Sequence, residues 1–210
     1  MRMAKITEKK FIVGIDEVGR GPLAGPVTVC AFAARADASN VRKLKRFLSR
    51  DGKGGYKDSK RLTEEQRTEC FKLIKKAKNE RELDIDFAVC HTSERIIDKS
   101  GIVFAIDSAL RKSLKRLGLK PNVAKIFLDG GLKAPEEFRN QQTIIKGDQK
   151  VGVIALASIV AKVTRDRKMT RLADEFKGYG FEQNKGYGTA AHYRAINNIG
   201  LCEIHRRSFL

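Results

Sequence analysis

Gly14-Ile15-Asp16-Glu17-Val18-Gly19-Arg20-Gly21-Pro22-Leu23-Ala24-Gly25-Pro26 sets two adjacent carboxylates at the end of an apolar stretch and then enters a glycine- and proline-rich turn. Side chains alternate along a strand, so Asp16 and Glu17 share a side only if the strand ends between them. The turn is expected to supply that ending. An isolated Asp-Glu pair is most often only a polar strand terminus, but the residues around this one change its reading. Gly19 and Gly21 flank Arg20 and permit close approach of another backbone. A guanidinium beside carboxylates suits a nucleic acid strand held next to bound cations. Hard divalent ions prefer oxygen ligands, so a cluster of acids is what such ions require.

Working outward, Phe11–Ile15 reads as a short buried strand, and Val27–Phe32 as a second one antiparallel to it. Asp51 to Lys60 reads as a flexible basic loop. Thr63 opens a helix with Gln66 completing a capping box, and Phe71, Ile74 and Ala77 mark its inner face. Leu83, Ile85, Phe87 and Val89 alternate as in a half-buried strand. A helical pattern through Ile102, Ile106, Ala109, Leu110, Leu114 and Leu117 closes at Gly118. Ile126–Leu128 is a strand ending in Asp129, and Ile144–Ile145 a short strand leading to Asp148. A long helix is expected from Val151 to about Lys177. These elements predict an α/β chain, a mixed sheet with helices on its faces. Two parts are expected: residues 1–177 as the main domain, and 178–210 as a small C-terminal part, with a short helix around His192–Asn198.

Composition narrows the function. Lys and Arg number 43 against 25 Asp and Glu, a formal net charge of +18. Such an excess favours a polyanionic partner. It is concentrated between Arg42 and Glu80 and again at Lys162, Arg165, Arg167, Lys168 and Arg171, two stretches that could line a nucleic-acid groove. No apolar run approaches the ~20 residues of a membrane span. The basic N-terminus runs straight into a strand, so no signal peptide is expected and the cytoplasm is the expected compartment. The four cysteines, Cys30, Cys70, Cys90 and Cys202, form no C-x-x-C pair and read as free thiols, and His91, His192 and His205 lack ligand spacing.

Two further acids complete the pattern. Asp129 ends a strand and precedes Gly130-Gly131, and Asp148 lies in Lys146-Gly147-Asp148 just before the long helix. An aspartate in such a place is by itself most often a turn former.

Gly14–Pro26 resembles the signature of the ribonuclease HII family. So do Asp58-Ser59-Lys60, Asp129-Gly130, Lys146-Gly147-Asp148, Ala157–Lys162, Lys185–Gly188 and Arg206–Phe209, in family order along nearly the whole chain. Gly-Arg-Gly, rather than Gly-Lys-Gly, favours type HII over its sister type HIII. Lys57, where the family often has Asn, and Leu156, where it often has Ala, are the departures. The resemblance implies a ribonuclease H-like fold, a five-stranded mixed sheet flanked by helices with a small C-terminal helical part. It assigns Asp16, Glu17, Asp129 and Asp148 to catalysis and to two Mn2+ or Mg2+ ions. It makes Gly19, Arg20, Gly21 and Tyr187 the readers of an RNA–DNA junction, with phosphate contacts near Lys60, Ser158 and Lys162. The implied reaction is hydrolysis of RNA in RNA/DNA hybrids and 5′ of a single ribonucleotide in duplex DNA, leaving 5′-phosphate and 3′-hydroxyl ends. Two such ions ~3.5–4 Å apart can stabilise both the attacking and the leaving oxygen. The expected partners are hybrids and ribonucleotide-containing duplexes, with no membrane; a monomer is expected, and sliding-clamp binding stays open.

Asp166 is the other acid that could serve as fourth ligand. It lies about 22 Å along the long helix at 1.5 Å per residue, too far to share a site with Asp148. It reads as a surface ion pair beside Arg165 and Arg167. Another nuclease on the same fold, of resolvase type, and a non-catalytic nucleic-acid-binding module remain as alternatives.

Overall fold

A computed structural model describes residues 10–49 and 62–210. The Asp51–Lys60 loop, with Asp58, Ser59 and the proposed phosphate contact Lys60, lies outside the described residues. Strand β1 (Phe11–Val18) pairs antiparallel with β2 (Val27–Arg35), with Asp16 opposite Cys30. Helices α1 (Ala38–Leu48) and α2 (Glu64–Asn79) lead to β3 (Ile85–Thr92), which pairs antiparallel with β2. After α3 (Glu94–Leu117), β4 (Ala124–Asp129) lies parallel to β1 on its other side, and β5 (Gln141–Ile144) parallel to β4. The order β3-β2-β1-β4-β5 is the predicted five-stranded mixed sheet. The chain ends with α4 (Gly147–Lys150), α5 (Gly152–Glu175), α6 (Phe181–Asn184) and α7 (Ala190–Ile199).

The sheet separates two cores by the period-2 alternation of its strands. Val13, Ile15, Val29 and Ala31 face α3, whereas Cys30, Phe32 and Ala34 face α5 together with the inner sides of α1 and α2. Gly14 lets α5 lie close on β1: a Cβ there would stand 2.2 Å from the Val153 carbonyl carbon. That contact fixes where α5 crosses the sheet, and so where its polar side chains emerge. A third, smaller core joins Met169 of α5 and Ala24 to Tyr179, Phe181 and Ile204. Residue Ala24 also forms a bridge with His205.

Several local expectations hold. Thr63 and Gln66 make the reciprocal capping box, and Gly118 caps α3 in the left-handed conformation. Cys30, Cys70 and Cys90 are buried free thiols and Cys202 is partly exposed. Others need correction. Strand β1 does not end between Asp16 and Glu17 but runs on to Val18 opposite Thr28. What ends at Ile15 is its pairing with β4. Helix α1 was not expected, because its apolar residues Leu44, Phe47 and Leu48 sit among lysines and arginines. Helix α3 starts earlier than its periodicity indicated, since Gly101 (φ 83°, ψ 160°) interrupts the pattern. Ile145 lies beyond β5 and is exposed.

Candidate active site

Where β1 outruns β4, the sheet opens into a cavity of about 450 Å³ lined by Asp16, Glu17, Val18, Gly19, Arg20, Gly21, Arg67, Asp129, Ser158, Lys162 and Tyr187. Nine of the positions singled out in the sequence therefore meet at one place: the three acids, the Gly-Arg-Gly loop, Ser158, Lys162 and Tyr187. Asp148 is fully buried and does not line the cavity. It stands beside Gly147, whose N–H donates to Asp129 Oδ1 at 2.6 Å. Arg67, on α2, is the lining residue that motif reading missed; its only signal was membership of the basic Arg42–Glu80 stretch.

The acids come from strand ends, so their backbones are set by the sheet. The Asp16 carboxylate is buried, with Oδ1 accepting the Glu17 N–H at 2.8 Å. Burial is the main reason its pKa rises to about 7; a hydrogen bond with Ser158 opposes the rise, and the charges of Glu17 and Asp129 add to it. Burial also raises Glu17, against the nearby charge of Arg20, whose Nη1 lies 3.4 Å from Glu17 Oε1. Acids held this way resist ionisation unless a cation joins them. Among the described residues no three His, Cys, Asp or Glu side chains already close around one ion position.

The loop side of the cavity is built differently. Gly19 has φ 88°, and a Cβ there would lie 2.2 Å from Arg165 Nε. Two fully buried guanidinium groups hold the loops by their carbonyls. Arg206 donates to Gly19 O (2.7 Å), Arg20 O (3.0 Å) and Gly25 O (2.9 Å). Arg165 donates to Pro26 O (3.0 Å), Lys185 O (2.9 Å) and Ala24 O (3.3 Å). Burial lowers both pKa values, that of Arg206 to about 10. A buried cation is costly unless its donors are satisfied, and these carbonyls satisfy them. Tyr187 stands at the cavity mouth with the Lys162 ammonium and the Arg165 guanidinium each 5.8 Å from its ring centre.

Two expectations fail here. Arg165 does not belong to an open basic groove; it is buried beneath the loops. Asp166 is not a surface pair with Arg165 and Arg167: it is 6% exposed and binds Lys162 at 2.9 Å, one helical turn away. The groove next to the cavity, about 490 Å³, does carry Arg67, Arg167 and Arg171.

A family model for ribonuclease HII matches residues 13–210. The chain is 40% identical over 201 residues to a ribonuclease HII of Caldicellulosiruptor bescii, covering 96% of this chain and 87% of that one. Its fold is similar to the crystal structure of ribonuclease H2 from Pyrococcus horikoshii OT3 (TM-score 0.65, 27% identity, 94% and 93% of the two chains). It is equally similar to ribonuclease HII in the PCNA complex from Archaeoglobus fulgidus (TM-score 0.65, 25% identity, 94% and 93%). With the expected five-stranded mixed sheet in place and one cavity at the end of β1 and β4, this chain belongs to the ribonuclease HII family, hydrolases that act on the RNA of RNA/DNA hybrids.

Proposed function

We propose that this chain is a divalent-metal-dependent endonuclease that cuts the RNA strand of hybrids and also cuts 5′ of a single ribonucleotide in duplex DNA, leaving 5′-phosphate and 3′-hydroxyl ends. The observation that carries this reading is the meeting of three carboxylates, a Gly-Arg-Gly loop and an exposed tyrosine around one cavity. Asp16, Glu17 and Asp129, with Asp148 behind them, are the residues that would hold Mn2+ or Mg2+. Such ions supply charge neutralisation on phosphoryl oxygens and a lowered pKa for water.

The protein's own groups do the rest. Gly19–Gly21 presents backbone close to the ribose, where the 2′-hydroxyl is what separates RNA from DNA. The Tyr187 ring packs on the deoxyribose just beyond, where a 2′-hydroxyl would clash. Ser158 and Lys162, one turn apart on α5, face the phosphate, and Arg67 adds a second cation from α2.

Cleavage assays on a uniform hybrid, on plain duplex DNA and on a duplex with one ribonucleotide, each with and without Mg2+, test the proposal. Metal-dependent cutting of the first and third substrates is expected, with plain DNA left intact. Cutting of plain DNA would point to a resolvase-type nuclease, and binding without cutting to a non-catalytic module.

A further inference from the structure

His192 and His205 form a fully enclosed pair in the C-terminal part, and nothing in the proposed cleavage uses them. Their ring nitrogens Nε2 lie 3.1 Å apart. The rings of Tyr179 and Phe181 pack around them, with Tyr179 5.3 Å from Phe181, 4.9 Å from His205, and Phe181 edge-on to His192 at 5.3 Å. The outer partners fix the protons. His205 Nδ1 accepts the Cys202 N–H at 2.9 Å and lies 3.1 Å from the Cys202 Sγ, whose thiol can donate to the same nitrogen, so the proton of a neutral His205 ring is on Nε2. His192 Nδ1 lies 2.9 Å from the Tyr187 carbonyl, which can only accept, so His192 carries its proton on Nδ1. His205 Nε2–H then donates to the bare Nε2 of His192. Each ring is a donor on one side and an acceptor on the other, and the chain of bonds runs one way, from the Cys202 backbone to the Tyr187 carbonyl.

We propose that His192 and His205 are positioning residues that set the place of Tyr187 in the cavity through this one-way relay of hydrogen bonds. The inference rests on the reading of Tyr187 as a substrate contact. A satisfied core histidine would explain two buried rings, but not where the relay ends. The Tyr187 carbonyl already accepts the Thr189 N–H at 2.8 Å, so the histidine supplies a second bond that backbone satisfaction does not require. The residue it holds exposes its own ring to the cavity. Leu23 and Ala24 N–H groups grip the neighbouring Gly186 carbonyl from the first loop. The aromatic loop is therefore fixed from both sides. Burial and the neighbouring His192 push the His205 pKa down to about 4, so its ring stays neutral near pH 7.

Nitrogen NMR on the wild-type, 15N-labelled protein reads the relay directly and needs no variant. The expected result is His192 protonated on Nδ1, His205 protonated on Nε2, and a nitrogen–nitrogen coupling between the two Nε2 atoms. His205 protonated on Nδ1 would overturn the proposal. Kinetics supply the second readout, on the duplex with one ribonucleotide and on a uniform hybrid. In His192→Asn the amide nitrogen stands near the place of Nδ1 and can still donate to Tyr187. In His192→Phe the volume stays and the donor is lost. On the single-ribonucleotide substrate His192→Phe should lose about tenfold in kcat while His192→Asn keeps most of it, because small misplacement of a substrate contact acts on the reacting geometry. Equal losses for the two variants, or a parallel loss on both substrates, would leave a structural role only and overturn the proposal. Tyr187→Ala separates the two readings: if it cut the single-ribonucleotide duplex as well as wild type, the junction reading would fail, while the tautomers would still decide whether the relay exists.

Discussion

Asp16, Glu17 and Asp129 hang from β1 and β4, whose positions are fixed by ladders of backbone hydrogen bonds. Gly19–Gly21 and Tyr187 face the same cavity from loops, where no ladder is available, and buried side chains hold the carbonyls instead. The two halves also carry opposite charge problems. On the strand side burial and mutual repulsion push Asp16 toward its neutral form, and on the loop side burial pushes Arg206 and Arg165 toward theirs. Carbonyl oxygens from the loops offset the second problem within the protein. Under the proposed function, the first is left for a cation to offset. The difference teaches that the acids are built to receive something, whereas the arginines are already served and act as scaffolding.

The largest effect that could break this division is on the acids. Asp129→Asn or Asp16→Asn should lower kcat on a hybrid by at least about a hundredfold, roughly 2.7 kcal/mol, with hybrid affinity close to wild type. Retention of more than about a tenth of wild-type kcat, a loss under ~1.4 kcal/mol, would remove the acids from the chemistry.

On the loop side, Arg206→Leu removes a donor shared by three carbonyls, of which those of Gly19 and Gly25 are buried. Each buried polar group left without its partner costs ~1–3 kcal/mol, so a stability loss of about 3 kcal/mol is expected in urea denaturation. A loss under ~1 kcal/mol would show that the loops hold themselves.

Asp16 sharpens the comparison through pH. Its folded pKa lies near 7, above the usual value of 3.8, so the folded protein binds the extra proton more tightly than the unfolded chain does. The stability this contributes is full below about pH 4 and is lost as pH rises through 7. In metal-free buffer Asp16→Asn should remove that loss, making the variant more stable than wild type at pH 8 by on the order of 2 kcal/mol, measured by urea denaturation. Saturating Mg2+ should shrink the difference. An identical pH dependence in wild type and variant would mean that Asp16 is ionised without help.

The smallest effect belongs to the cations around the rim. If Arg67, Lys162, Arg167 and Arg171 meet phosphates, log K for hybrid binding should fall linearly with log salt by about 0.9 per phosphate neutralised. Arg171→Ala should flatten the slope by about one such step. An unchanged slope would return that side chain to a solvated face.

Much of this was legible in the sequence because it is written in local patterns. Strict alternation gave β3, the capping box gave the start of α2, and the ordered motifs gave nine of the cavity residues. What escaped was set by contacts distant in sequence. Arg165 looks like any member of a basic helix until Pro26 and Lys185 close over it, contacts 139 and 20 residues away. Asp166 beside two arginines invites a surface reading, yet the helix turns it toward Lys162. The strand end expected after Asp16 was wrong because only the pairing of β1 with β4 stops near there, at Ile15, while its pairing with the distant β2 persists to Val18.

The central claim, that chemistry sits on strands and recognition on loops, is tested most directly by one paired measurement. Asp129→Asn and Tyr187→Ala are each assayed for kcat/KM on a uniform RNA/DNA hybrid and on a DNA duplex carrying one ribonucleotide. The account predicts that Asp129→Asn abolishes cutting of both substrates, while Tyr187→Ala loses far more on the single ribonucleotide than on the hybrid. Parallel losses in Tyr187→Ala, or activity surviving on either substrate in Asp129→Asn, would contradict it.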